Sequence, residues 1–153
     1  NEIMPLVWEQ NPDIRVYIVG GNAPEEITTL NSERFRILGY QKEIDTLFTS
    51  AKAMVAPLRY GAGVKGKIGQ ALEYQLPVIS TTIGVEGMKL TPNTHALVAE
   101  ISDPETFANY ILDIYSNEKK WTELYEGSKD GLKYFSTENQ EKNIKNLLEY
   151  LNN

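Results

Sequence analysis

The chain has 153 residues, 41% of them hydrophobic and 24% charged, which suits a single domain over 1–153 that buries roughly 70% of the surface its unfolded form exposes. It contains no cysteine, so disulfides, thiolate metal sites and cysteine nucleophiles are excluded. Its net charge of −6 argues against a general nucleic-acid binder, which needs a broad basic face.

The opening "NEIMPLVWEQNPD" lacks the basic-then-apolar order of a signal peptide. It reads as the end of a helix stopped near Pro12, so the chain is expected to begin inside a larger protein. "IRVYIVGG" (14–21) is a β-branched run closed by Gly20 and Gly21, a strand meeting a turn. The polar stretch after it has room for a short helix. "FRILGY" (35–40) is a second strand, ending at Gly39 and Tyr40. Ile44, Leu47, Phe48 and Ala51 then recur at helical spacing and predict an amphipathic helix. "AMVAPL" (53–58) is a continuous apolar run, as expected of a strand buried on both faces. After a glycine-rich loop, Ile68, Ala71 and Leu72 mark one side of a helix, and "PVIST" (77–81) and "HALVAE" (95–100) are further strands.

From there the pattern is helical. Ser102 and Glu105 form an expected capping box, with Pro104 in the first turn. Phe107, Tyr110, Ile111, Ile114 and Tyr115 make a stripe expected to pack in the core. A helix over 118–134 turns Trp121 and Leu124 inward, and a last one starts near Thr137, with Ile144, Leu147, Leu148 and Leu151 on one side. Strands alternating with helices predict an α/β fold: a doubly wound parallel sheet followed by a helical C-terminal segment. Such sheets bind ligands beyond the carboxyl ends of their strands. The turns at Gly20–Gly21, Gly39–Tyr40 and Gly61–Gly63 are therefore expected to line one crevice, against the plainer reading that each glycine only permits a tight turn.

The loop "YGAGVKGKIGQALEYQLPVIST" (60–81) fits several patterns at once. Gly61, Gly66 and Lys67 match most of a P-loop, but that loop needs Ser or Thr after the lysine to hold Mg²⁺, and Ile68 stands there. Gly61, Gly63 and Gly66 spell the dinucleotide fingerprint, yet "PLRY" separates it from its strand and lysines interrupt it. A third reading fits better. From Thr46 to Leu72 there is no Asp or Glu, while Lys52, Arg59, Lys65 and Lys67 fall in that stretch. Cations, glycine amides and a helix start together suggest an anion site; the plainer alternative is a solvated basic helix start.

"APLRYGAGVKGKIGQALEYQLPVISTTIGVEG", with "IRVYIVGG", "FRILGY", "HALVAE", "DPETFANYI" and "FSTENQEKNIKNLLEYL" in the same order, resembles the donor-binding half of GT-B glycosyltransferases of family 4 (glycosyl transferases group 1). The resemblance runs from about residue 5 to 152. It implies the Rossmann-like C-terminal half of a retaining enzyme whose missing N-terminal domain holds the acceptor, such as a growing polysaccharide or glycolipid. It further implies a nucleotide-diphosphate sugar as donor, no required cofactor and no metal. By this analogy the amides of Gly61, Ala62 and Gly63 and the catalytic cations Lys65 and Lys67 face the donor diphosphate. Gln70 lies near the ribose, Gly39 and Tyr40 near the nucleobase, and Gly20, Gly21 and Glu86 border the cleft. Glu86 is also readable as a turn residue. The analogy implies a cytoplasmic protein, with any peripheral attachment at the inner membrane face supplied by the absent half.

Two departures stand out. Anchored on Pro77, the family's two-glutamate signature falls on Ala62 and Gln70, so this loop is closer to the Gly-x-Gly-x-Lys-x-Lys subset. The first strand of the family's domain would also precede residue 1, so the chain is not expected to transfer sugar alone. His95, the only histidine, opens a strand after "TPNT" and reads as a turn residue. A non-catalytic nucleotide-sugar-binding module, or another GT-B enzyme such as a nucleotide-sugar epimerase, is the competing reading.

Overall fold

The computed structural model describes residues 2–151; the extremes of the expected 1–153 domain, and residue 152 of the resemblance, lie outside the described residues. In chain order the elements are α1 (Ile3–Gln10), β1 (Val16–Val19), α2 (Glu25–Thr28), β2 (Phe35–Gly39), α3 (Asp45–Ser50), β3 (Met54–Ala56), α4 (Gly66–Glu73), β4 (Val78–Thr81), α5 (Thr82–Val85), β5 (Leu97–Ala99), α6 (Pro104–Ser116), α7 (Glu118–Gly131), a 3₁₀ turn (Lys133–Phe135) and α8 (Thr137–Leu151). All strand pairs are parallel, and helices alternate with strands as expected.

The fold is doubly wound because β4 and β5 alternate. Successive side chains of a strand point to opposite faces. Val78 and Ala96 join one buried cluster, with Ile68, Ala71, Leu72 and Met88. Ile79 and Leu97 join the other, with Val7, Phe107, Ile114 and Leu124. α4 therefore covers one face and α1 and α6 the other, while α7 serves both, with Leu124 in the second cluster and Gly131 beside Leu72 of the first. Each fully buried side chain of this size contributes roughly 1.5–3 kcal/mol. Phe107, Ile68, Leu72, Ile79 and Leu97, all essentially inaccessible, anchor both layers.

The single expected sheet is divided. Among the described residues β1 pairs only with β2, and β3, β4 and β5 form a second sheet. The unpaired edges of β1 and β3 line a common cavity of about 790 Å³, together with Met4, Ile111 and Ile114. A second cavity of about 530 Å³ adjoins Val16, Ile18 and Val55. This corrects the expectation that 53–58 is buried on both faces: Val55 is 40% exposed, because no strand among the described residues pairs along that edge of β3.

Smaller differences have local causes. Asp103, not Ser102, caps α6: its carboxylate accepts the Thr106 backbone N–H at 3.0 Å and the Thr106 hydroxyl at 2.6 Å. Pro104 occupies the first turn as expected. Tyr115 leaves the core stripe and is exposed, on the cavity side of α6. Trp121 is only partly buried, its indole N–H donating to the Lys52 carbonyl at 2.8 Å. α3 buries no residue fully, and Ala51 is exposed. α8 also has no buried residue; Ile144, Leu147, Leu148 and Leu151 all face solvent.

Candidate functional site

The site is built at the carboxyl end of β3. Pro57 and Leu58 end that strand, and Ser80 and Thr81 of β4 hold the exit in place. The Ser80 hydroxyl donates to the Ala56 carbonyl at 2.9 Å and the Thr81 hydroxyl to the Leu58 carbonyl at 2.8 Å. Residues 59–64 then form an exposed loop into α4. Gly61 has φ of +128° and Gly63 of +71°, conformations that a side chain would strain. The loop is thus a glycine-dependent turn set on a rigid two-strand base.

α4 begins with exposed amides. Among the described residues, no backbone N–H from Gly61 to Lys67 has a hydrogen-bond partner. The helix start adds partial positive charge, which favours an anion. Ile68, Ala71 and Leu72 bury the opposite side of α4 and fix its angle. Ile68 is essentially inaccessible, so it offers no metal-binding substitute for a P-loop hydroxyl.

The lysines differ. Lys65, partly buried, curls back and donates to the carbonyls of Gly61 at 3.2 Å and Gly63 at 2.6 Å. Lys67 is exposed and has no ion-pair or hydrogen-bond partner among the described residues. The other cations of the acid-free stretch contribute less. Arg59 pairs with Glu2 at 3.6 Å. Lys52 precedes β3, at the amino end of the strand, where its ammonium sits 5.4 Å from the Trp121 ring centre. The positive field is therefore carried by the loop and α4, and Lys52 is no part of it.

The loop after β4 meets the glycine loop. A side chain at Gly87 would come within 3.9 Å of Gly63 and Val64. Glu86, exposed at the end of α5, is thereby beside the candidate anion site. Gln70 lies one turn further along α4, partly buried. Ala62, which stands where the resemblance places a glutamate, is exposed and adds no charge.

The remaining predicted residues gather on the other sheet. The Gly20 amide donates to the Gly39 carbonyl at 2.9 Å, and a side chain at Gly21 would lie 3.9 Å from Tyr40. Gly39 has φ of +67°, and Tyr40 is exposed beside it. Gly20, Gly21, Gly39 and Tyr40 thus form one group at the ends of β1 and β2. Gly61 to Lys67 and Glu86 form another at the ends of β3 and β4.

Three features were not read from the sequence. Tyr60, 85% exposed beside Gly61, carried no periodic signal. Ser80 and Thr81 sit in what reads as an ordinary buried strand end. The short helix α5 falls where a plain loop is expected. His95 is the turn residue expected: its Nδ1 accepts the Thr91 backbone N–H at 3.0 Å. Among the described residues no three His, Asp or Glu side chains come together as a metal site. No helix among them is long and apolar enough to cross a membrane.

The family model for glycosyl transferases group 1 matches residues 1–117. An uncharacterised 44.6 kDa protein in the cps region of Klebsiella pneumoniae is 27% identical, the match covering 76% of this chain and 32% of that protein. A variant of TarM from S. aureus, in complex with fondaparinux, alpha-GlcNAc-glycerol and UDP, superposes with a TM-score of 0.81 at 20% identity, over 95% of this chain and 31% of its own. Anabaena HepE in complex with UDP-glucose gives 0.76 at 16% identity, over 97% of this chain and 44% of its own. The C-terminal domain of a glycosyl transferase group 1 family protein (LpcC) from Francisella tularensis gives 0.73 at 14% identity, over 87% of this chain and 76% of its own. At these identities the structural likeness shows the fold, and the chain spans about a third of the length of the first relatives it matches.

Proposed function

Because the chain belongs to the glycosyl transferases group 1 family, we propose that it is the donor-binding half of a retaining glycosyltransferase. The full-length protein would move a sugar from a nucleotide-diphosphate sugar to an acceptor held by the preceding domain. The observation that carries this reading is the loop at the end of β3, where unpaired amides from Gly61 to Lys67 meet the cation Lys67. Charge develops on the diphosphate as the sugar bond breaks. Donors already aimed at that position stabilise the transition state without reorganising. Each charge-assisted hydrogen bond is worth roughly 1.5–3 kcal/mol.

In the same reading, Gly39 and Tyr40 border the nucleobase, Gln70 reaches the ribose, and Gly20, Gly21 and Glu86 edge the cleft. The reading needs no metal, since Lys67 and the amides neutralise the leaving group. Structural relatives in complex with UDP and with UDP-glucose support a nucleotide-sugar donor. The relative in a cps region supports a polysaccharide acceptor. A cytoplasmic protein at the inner membrane face fits that chemistry.

The test is thermal melting with UDP, GDP, ADP, NAD and ATP in turn. A ligand at about ten times its Kd stabilises by roughly 1.4 kcal/mol, a shift of about 2–6 °C at this size. A shift with NAD and with no nucleoside diphosphate would sink the reading. Ala62 and Gln70, in the positions of the glutamate signature, favour a non-catalytic nucleotide-sugar-binding module as the second reading. Donor hydrolysis or transfer by the full-length protein separates the two.

A further inference from the structure

We propose that Lys65 is a positioning residue that latches the glycine loop, leaving Lys67 and the amides of Ala62 and Val64 to meet the anion. The proposal rests on the donor-diphosphate reading above and divides the labour between the lysines.

The argument begins with the peptide bond. It is planar and trans, so the carbonyl of one residue and the N–H of the next point in opposite directions. The Lys65 ammonium holds the carbonyls of Gly61 and Gly63. That orientation turns the N–H groups of Ala62 and Val64 away from the lysine. Both are unpaired among the described residues. Without the latch, the oxygens of Gly61 and Gly63 are free to rotate toward the same space and repel an anion there. Both glycines have positive φ, so neither backbone resists that rotation strongly.

The lysines are also committed differently. Lys65 is the N-cap of α4, in extended backbone outside the helix, whereas Lys67 lies in its first turn. An ammonium has three donors, and Lys65 already spends two on the loop carbonyls. Lys67 has all of its donors available. Breaking the Lys65 contacts to reach a phosphate would release the carbonyls that the phosphate must avoid.

The experiment uses the full-length protein and calorimetric titration with UDP, GDP and ADP, and with UMP and uridine, at several salt concentrations. Lys67→Met should weaken UDP binding by roughly tenfold, leave uridine unchanged and flatten the salt dependence of UDP affinity, because a contacting charge is lost. Lys65→Met should weaken UDP binding comparably while flattening the salt dependence less than Lys67→Met does, because its charge lies behind the loop and not against the phosphate. Lys65→Arg, which can still donate to both carbonyls, should restore most of the affinity. In the nucleotide-free protein, nitrogen relaxation of labelled Val64 and glycine amides should show a more mobile loop in Lys65→Met and an unaltered one in Lys67→Met.

A salt dependence flattened in Lys65→Met as much as in Lys67→Met, with loop mobility unchanged, overturns the proposal and makes Lys65 a direct ligand. If wild type binds none of UDP, GDP or ADP while the mobility difference holds, the donor reading and the anion-seat half of the proposal fall together, and the latch alone stands.

Discussion

Replacing Gly84 with alanine tests whether the base of the loop is as tightly built as its hydrogen bonds suggest. A Cβ at this position would sit 2.0 Å from the Ser80 hydroxyl oxygen, 3.3 Å from its Cβ and 3.4 Å from the Thr81 hydroxyl oxygen. Gly84 cannot back away, because its N–H is held by that Thr81 oxygen at 3.0 Å. Ser80 must therefore rotate, and its bond to the Ala56 carbonyl is lost in a site with no solvent access. Overpacking costs about 1–3 kcal/mol; the Ala56 carbonyl keeps the Leu58 N–H, and leaving the buried Ser80 hydroxyl unpaired adds about 1–3 kcal/mol. The terms overlap, so the expected loss is roughly 2–4 kcal/mol, a large share of a typical stability of about 5–15 kcal/mol. Urea titration followed by the fluorescence of Trp8 and Trp121 reads it. In a Ser80→Ala background the shortest contact is gone, and those at 3.3 Å to the Cβ of residue 80 and 3.4 Å to the Thr81 hydroxyl oxygen persist. There Gly84→Ala should cost roughly 1–2 kcal/mol less, a coupling of the size expected for touching residues. Equal costs in both backgrounds would refute the reasoning, and would place the strain elsewhere in α5.

Leu124→Ala, in a fully buried position of α7, should lower stability by about 2–5 kcal/mol, whereas Leu148→Ser on exposed α8 should stay within about 0.5 kcal/mol of wild type; urea midpoints of the chain compare them. Gly39→Ala meets no atom within 4 Å but must hold φ at +67°, so its cost of about 1–2 kcal/mol is purely backbone, and Gly39→Asn should melt closer to wild type. The Asp103 carboxyl is held below its ordinary value of 3.8, first by the Thr106 hydroxyl and then by the Thr106 amide. Its folded-state pKa is depressed, so its contribution is full above the unfolded value and is lost as pH falls through the folded one. Asp103→Asn keeps an acceptor at the cap and should flatten that limb of the acid-unfolding curve.

Much of the fold was legible because its signals are local. The stripe Ile68, Ala71 and Leu72 has a helical period and buries as one side of α4. Strands β4 and β5 are short apolar runs bounded by breakers, and they pair in parallel as alternation with helices requires. The cap of α6 was misplaced by one residue because Ser102 and Asp103 are both competent acceptors. The choice turns on backbone angles, which composition does not encode. The loop's chemistry was legible as charge, since an acid-free stretch in an acidic chain is visible by counting. Direction was not. Lys52 counts as a cation of that stretch, yet it sits at the amino end of β3, and no one-dimensional count distinguishes the two ends of a strand.

Lys65 shows the same limit at closer range. In the sequence it equals Lys67, a cation among glycines. What separates them is which carbonyls the backbone presents, and that depends on the positive φ of Gly61 and Gly63. Val55 is the tertiary version of the problem. "AMVAPL" has the composition of a central strand, and composition reports the neighbours a strand is built to have. β3 pairs on one side only, so Val55 faces the cavity that it shares with Tyr17 and Ile18 of β1. An apolar strand edge across from another apolar strand edge has the properties of an internal sheet position. Among the described residues no strand pairs with the facing edges of β1 and β3, and aliphatic floors are supplied by Ile111 and Ile114. Val55→Thr should therefore be nearly neutral in the isolated chain, where the position is 40% exposed. It should be destabilising in the full-length protein if a further strand closes the gap, because the hydroxyl would then be buried without a guaranteed partner. Equal urea midpoints for wild type and Val55→Thr in the full-length protein would mean that the gap stays open.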